Sequence, residues 1–340
     1  MAYTTIDDPE AYFQTVLYTG NGGTQSITLG GTTDMQPDLV WIKERDATDF
    51  HVVGDAVRGT SKQLYFNDVQ VENTNTSSVT AFNSDGFSLG DRGDVNQSSS
   101  SYVAWCFKES ATSGFDIVTY TGNGTDDTDI SHNLSAVPKM IIVKNRDAAD
   151  AWQVYHGANT SAPETDYLVL NDTAVTADAA DRWSDEAPTS SVFTLGDGDE
   201  VNTNTENYIA YCFAEKQGFS KFGSYTGNGV SSGGAQSGGP FINLGFRPAF
   251  LMIKEASGTA GQGWMIFDNT RSTFNRVDHE LQANSNAVET TGSHWVDFYS
   301  NGFNTRTNGA AINRSGSTHI YMAFAEAPFV NSNGVPATAR

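Results

Sequence analysis

Tyr18-Thr19-Gly20-Asn21-Gly22 recurs unchanged as Tyr120-Thr121-Gly122-Asn123-Gly124 and as Tyr225-Thr226-Gly227-Asn228-Gly229. The two intervals are 102 and 105 residues, and other markers keep the same phase. Pro37 opens Asp38-Leu39-Val40-Trp41-Ile42-Lys43, Pro138 opens Lys139-Met140-Ile141-Ile142-Val143-Lys144, and Pro248 opens Ala249-Phe250-Leu251-Met252-Ile253-Lys254. Each copy closes on an aromatic run: Tyr102 to Phe107, Tyr208 to Phe213, and Tyr321-Met322-Ala323-Phe324-Ala325-Glu326. In that alignment Cys106, Cys212 and Ala325 share one position. A period of this length exceeds the roughly 20–45 residues of a solenoid unit and is that of a small domain, with enough chain to bury a core.

The expected organisation is an N-terminal arm (1–15), three repeats (16–114, 115–220 and 221–328) and a C-terminal tail (329–340). Within the first repeat, short runs rich in Val, Ile, Thr and aromatics are bounded by Asn, Asp and Gly turns. They predict strands at Leu39–Lys43, Phe50–Gly54, Gln63–Phe66, Val79–Phe82, Phe87–Leu89 and Tyr102–Lys108. No segment carries sustained helical periodicity. The predicted class is all-β, with three tandem antiparallel β-sandwich domains of jelly-roll type. The joins, Glu109 to Gly114 and Glu215 to Gly223, are too short for independent tumbling, so a semi-rigid row or a packed trio is expected. The arm has no counterpart in later repeats. Deleting it is expected to leave folded protein that no longer enters its assembly.

Composition excludes several functions. Forty acidic residues against 19 basic ones give a net charge of −21, which disfavours nucleic acid, since phosphate contacts need clustered Lys and Arg. Membrane insertion is not expected either, because the apolar runs fall far short of the ~20 residues of a span. The N-terminal stretch lacks the basic and apolar regions of a signal peptide. Charge is unevenly shared: residues 1–114 carry −9, residues 115–220 carry −13, and residues 221–340 carry +1. A neutral repeat beside two acidic ones is expected to make the contacts while the acidic pair stays solvated.

Candidate sites are few. Cys106 and Cys212 sit on equivalent core strands, too far apart for a disulfide, and read as buried reduced thiols. Arg92-Gly93-Asp94 falls in Leu89 to Asn96, which aligns with Leu195 to Asn202 and so reads as a repeated acidic turn. Asp197, Asp199 and Glu200 in the second copy have oxygens for calcium, but lack the spacing of a calcium loop. Gly229-Val230-Ser231-Ser232-Gly233 matches a nucleophile elbow only formally, lying in a Gly/Ser-rich stretch. The six histidines, His51, His132, His156, His279, His294 and His319, show no metal-ligand spacing. No acidic pair stands out for glycoside hydrolysis. No catalytic residue, cofactor or metal is expected. Aromatics are the better lead for stacking on sugar rings. Trp41 and Trp264 lie inside β runs and read as core; Trp183 and Trp295, in longer and less repeated segments, are the expected ligand contacts.

On these motifs the chain resembles a domain found singly or in tandem in virion structural proteins of tailed bacteriophages, especially those of marine bacteria. The resemblance is carried by Met1 to Pro9, the Tyr18 box, Pro37 to Lys43, Arg58-Gly59, Ser84 to Gly90, and Tyr102 to Phe107. It spans about residues 16–326. The third repeat departs most, with Tyr299-Ser300-Asn301-Gly302-Phe303 for the Asp-Gly-Phe box and no Cys-Phe ending. The resemblance implies a lectin-like sandwich in a virion component assembled in the host cytoplasm. Its partners would be other virion proteins and a host surface glycan, and by analogy with fibres a homotrimer is expected. The leading expectation is a non-enzymatic tail fibre or adhesin contacting the host. A capsid decoration or head-fibre protein and a polysaccharide depolymerase are the alternatives.

Overall fold

The computed structural model describes residues 3–231, 238–259, 261–293 and 295–336. In the Pro37 to Lys43 run nearly every residue is apolar, which marks a strand covered on both faces rather than one facing water. The strand Leu39–Glu44 is buried throughout. Its odd positions, Leu39 and Trp41, join one apolar cluster, while Val40 and Ile42 join another.

The sheet that contains it has the spatial order Phe13–Thr19, Ser101–Phe107, Leu39–Glu44, His51–Asp55, Lys62–Tyr65, Asn73–Thr74, all antiparallel. The second repeat reproduces this order with Phe115–Thr121, Asn207–Ala214, Pro138–Asn145, Gln153–His156, Asp166–Val169 and Ala177–Asp178. The third does so with Ser220–Thr226, Thr318–Pro328, Phe246–Glu255, Met265–Asp268 and Leu281–Gln282. A small sheet covers the outer face of each large one. It is built from Gln25–Ile27, Gly86–Leu89 and Val79–Asn83 in the first repeat, Thr128–Ser131 and Val192–Leu195 in the second, and Phe241–Asn243, Gly302–Thr305 and Val296–Tyr299 in the third. The chain is therefore all-β, made of layered antiparallel sheets with helices of a single turn.

The repeated box is a clasp. Tyr18, Tyr120 and Tyr225 donate their hydroxyls to the carbonyls of Val95, Val201 and Ile312, at 2.7, 2.7 and 2.6 Å. Each of those residues lies in a one-turn helix whose last residue, Asn96, Asn202 or Asn313, accepts from the backbone N–H of Asn21, Asn123 or Asn228. The glycine ahead of that asparagine is obligatory: a Cβ on Gly20 would lie 2.1 Å from the carbonyl oxygen of Gln97. The motif recurs because the clasp does.

Register corrects the alignment of the third repeat. Phe107 pairs with Leu39, Phe213 with Met140, and Phe324 with Phe250. The counterpart of Cys106 and Cys212 is therefore Ala323, not Ala325, and the repeat does end on the same phenylalanine. His319 takes the place of Tyr102 and Tyr208. It stacks on Tyr225 at 5.2 Å, as they stack on Tyr18 and Tyr120 at 5.0 Å.

The inner faces of the three large sheets meet. One cluster unites Trp41, Trp105, Trp152, Tyr211, Phe250 and Phe324 from all three repeats. At its centre Phe107, Phe213 and Phe324 touch pairwise, with ring centroids 6.0, 5.2 and 6.1 Å apart. Three equivalent side chains in mutual contact define a pseudo-threefold axis, so the repeats form a packed trio rather than a row. Burying each ring contributes about 1.5–3 kcal/mol.

The N-terminal stretch is part of this body, not an arm. The first strand begins at Phe13, inside the expected arm, and Ile6 and Phe13 are 2% exposed in the shared core. Tyr3 donates to the Gly245 carbonyl and Thr4 to that of Gln217, both at 2.8 Å, which ties the start of the chain to the third repeat and to the join that leads into it.

Candidate functional site

The tryptophans expected to meet a ligand do not project. Trp183 is only 2% exposed, packed edge-on against Tyr155 at the end of the short helix Ala180–Trp183. Trp295 is half-buried, packed on the core near Phe267 and beside Gly309, whose added Cβ would lie 3.0 Å from the indole. Long, unrepeated segments suggested exposed loops; here their tryptophans fill space under those loops. Trp41 and Trp264 are buried, at 4% and 2%.

The remaining candidates resolve similarly. Cys106 and Cys212 are buried and unpaired, and burial pushes both thiols well up. Asp94 of the Arg-Gly-Asp tripeptide is 5% exposed, held by Arg92 and by the Gln63 amide at 2.8 Å, so it is not displayed. In the matching turn, Glu200 pairs with Arg182 at 2.8 Å. Among the described residues, no group of three or more His, Cys, Asp or Glu is placed to hold a metal ion. Ser232, Gly233 and His294 lie outside the described residues.

The charged side chains with the most developed geometry sit between repeats. At the junction of the second repeat with the first, Tyr211 donates its hydroxyl to Asp55 at 2.8 Å. Arg58, fully buried, pairs with Asp55 and Glu72, and Arg146 pairs with Glu72 at 2.9 Å. The junction of the first repeat with the third repeats this set by position: Trp105 donates to Asp268 at 3.1 Å, Arg271 pairs with Asp268 and Glu289, and Arg45 pairs with Glu289 at 2.7 Å. At the last junction the corresponding residues are His156, Asn159, Thr176 and Ala256. There the Thr176 hydroxyl meets Asn159 at 2.7 Å, the Thr176 N–H donates to the Ala256 carbonyl, and the His156 ring bonds the Tyr321 carbonyl at 3.1 Å. Burial holds His156 down at about 4, hence neutral. All four members of the charged set have changed together, so among the described residues this junction holds neither an arginine nor a carboxylate of the set without its counterpart. The sequence does carry a signal for it: Asp-x-x-Arg at 55–58 and 268–271 against His-x-x-Asn at 156–159.

One acidic pair escaped the sequence. Glu109 and Asp116 face each other across the first join, and the Glu109 carboxyl is pushed up to about 7, chiefly by burial and then by its hydrogen bond with Asp116. Glu109 accepts from the Ile117 N–H at 3.3 Å and Asp116 from that of Asn133 at 2.6 Å, so both carboxyls also fasten backbone.

Exposed aromatics are confined to the near-neutral repeat and the residues just after it. Among the described residues the exposed large aromatics are Phe241, Phe274, Tyr299 and Phe329, with Phe274 79% exposed. Phe241 and Tyr299 form an edge-to-face pair at 5.8 Å on the small outer sheet. The two acidic repeats display only aliphatic residues of this kind, such as Leu17, Val69 and Val137.

The profile of a protein family described as a domain of unknown function, DUF7483, matches residues 8–328. No curated protein and no solved structure matches the chain.

Proposed function

The chain belongs to the DUF7483 family, and we propose that it is a non-enzymatic structural protein of a tailed-bacteriophage virion, a tail-associated fibre or adhesin that meets the host surface through its third repeat. On this reading each repeat is a lectin-like, jelly-roll type sandwich, and its partners are other virion proteins and a host surface glycan. The observation that carries it is the placement of exposed aromatics: among the described residues all four lie beyond residue 220, where the chain is near neutral, while the acidic repeats display none. Aromatic rings left in water mark contact surfaces, and a neutral patch avoids the repulsion that 33 acidic residues elsewhere would impose on an anionic cell envelope. The junction carboxylates support a non-enzymatic role, since Asp55, Glu72, Asp268 and Glu289 are engaged in joining repeats.

Gold-labelled antibody against the chain tests this reading. Label on the tail of the parent virion, with adsorption blocked by the same antibody, is the expected result. Label spread over the head in hundreds of copies would favour a capsid decoration or head-fibre protein, and reducing-sugar release from host polysaccharide would favour a depolymerase.

A further inference from the structure

The two joins between repeats are built on one plan. A glutamate two residues after the axial phenylalanine accepts from a backbone N–H of the strand that opens the next repeat: Glu109 from Ile117 at 3.3 Å, Glu215 from Phe222 at 3.4 Å. The joins differ in what stands beside that glutamate. Asp116 pairs with Cys212 and Lys221 with Ala323, so the two hold one position in their strands. At the second join Glu215 and Lys221 line the same depression, where Lys221 donates to the Asn243 carbonyl at 2.9 Å. That join sets a carboxylate with an ammonium. The first sets carboxyl against carboxyl.

Three carboxyls gather at the first join, and each fastens a different piece of backbone. Asp38 of the first repeat accepts from the Glu109 N–H at 2.7 Å, and Glu109 accepts from Ile117 of the second. Asp116 accepts from the Asn133 N–H at 2.6 Å, which ties the opening strand to the loop ahead of Pro138. Glu109 and Asp116 also hydrogen-bond to each other. Two ionised carboxylates have no donor between them, so that bond requires one proton. The other titratable groups around the pair are Lys108, which partly offsets the burial that raises Asp38, and Lys216, whose stem passes beside Gly114. His132, beside Asp116, is held down by burial, hence neutral, and its ring bonds the Thr189 carbonyl at 3.3 Å.

We propose that the first join is a proton-operated latch. With one proton shared between Glu109 and Asp116, the three carboxyls hold the first repeat, the join and the second repeat together. When that proton leaves to solvent, two like charges face each other, and the join opens locally, releasing the Ile117 and Asn133 N–H groups to water. The seam of Arg58, Glu72 and Arg146 stays closed, so the opening gives slack within an intact body. The Glu109 carboxyl, pushed up to about 7, places the change near neutrality. Lys221 does the same fastening at the second join without a proton. What the carboxyl pair adds is the response to pH, and this holds whatever the third repeat contacts.

Amide hydrogen exchange of the full chain at pH 6 and pH 8.5, with intrinsic rates divided out, tests the latch. Protection of the Ile117 and Asn133 amides should fall about tenfold between the two, while that of Phe222 at the second join stays within twofold. E109Q keeps an acceptor for Ile117 and gains a donor for Asp116, so it should hold protection at both pH values. D116N, which keeps an acceptor for Asn133, should do the same. Protection of Ile117 and Asn133 within twofold at the two pH values in the wild type overturns the proposal. So does an equal fall at Phe222, or a fall in both variants as large as in the wild type.

Discussion

Trp105 donates its indole N–H to Asp268 at 3.1 Å, joining the first repeat to the last across 163 positions of sequence. Tyr211 makes the equivalent bond to Asp55, one repeat further round the axis. Together they make the molecule a closed trio rather than a string of beads.

The buried charges at these junctions should be unequal in weight. Arg58→Ala or Arg271→Ala strands a carboxylate in the interior and is expected to cost about 3–5 kcal/mol. Asn159→Ala, at the uncharged junction, removes a neutral bond worth about 1 kcal/mol. Urea midpoints of the three variants measure the contrast, and equal losses would show that the arginines do not act as buried ion pairs.

At the axis, Phe324→Ala opens a cavity facing all three sheets and should cost about 3–5 kcal/mol. Phe107→Ala should cost a similar amount although it lies two repeats away in sequence. A loss confined to the repeat that carries the substitution, seen as protection from hydrogen exchange in the other two, would contradict a shared core.

Glu109 gives a pH dependence of definite sign. Its folded value, about 7, lies above its ordinary 4.5, so the folded chain keeps a proton that the unfolded chain has released. That contribution is fully present below about pH 4.5 and is lost as the pH rises through about 7. Glu109→Gln should therefore leave stability at pH 4.5 nearly unchanged and raise it at pH 8, by about 1 kcal/mol after allowing for partial solvent exposure. Destabilisation at pH 8 would mean that the carboxylate form is the one the fold prefers.

Removing residues 1–15 takes Ile6 and Phe13 from the core and cuts three residues, Phe13 to Thr15, from the first strand's buried end. Such a chain should be insoluble or melt far below wild type, contrary to what an independent arm would allow. Thermal unfolding of the soluble fraction, if any, provides the check.

Much of this fold can be read from sequence because the repeated residues do repeated local work. The Tyr18 box, the Pro37 run and the Asn96 turn each recur with the same bonds, and the predicted strands of the first repeat fall within a residue or two of the observed ones. The closing strand of the third repeat misled for a physical reason. His319 stacks on Tyr225 as a tyrosine would, so the aromatic pattern appeared to begin two residues later, at Tyr321. Trp183 and Trp295 misled because polar surroundings in sequence do not reveal which ring turns inward. Ring closure was least visible, since Arg45, Asp268 and Glu289 meet only in three dimensions.

Each contact above depends on the three repeats behaving as one body, and calorimetric unfolding of the full chain tests this most directly. A closed trio with one core predicts a single transition whose calorimetric and van't Hoff enthalpies agree, shifted as a whole by Asp268→Ala. Two or more separable transitions, with Asp268→Ala moving only one of them, would contradict it.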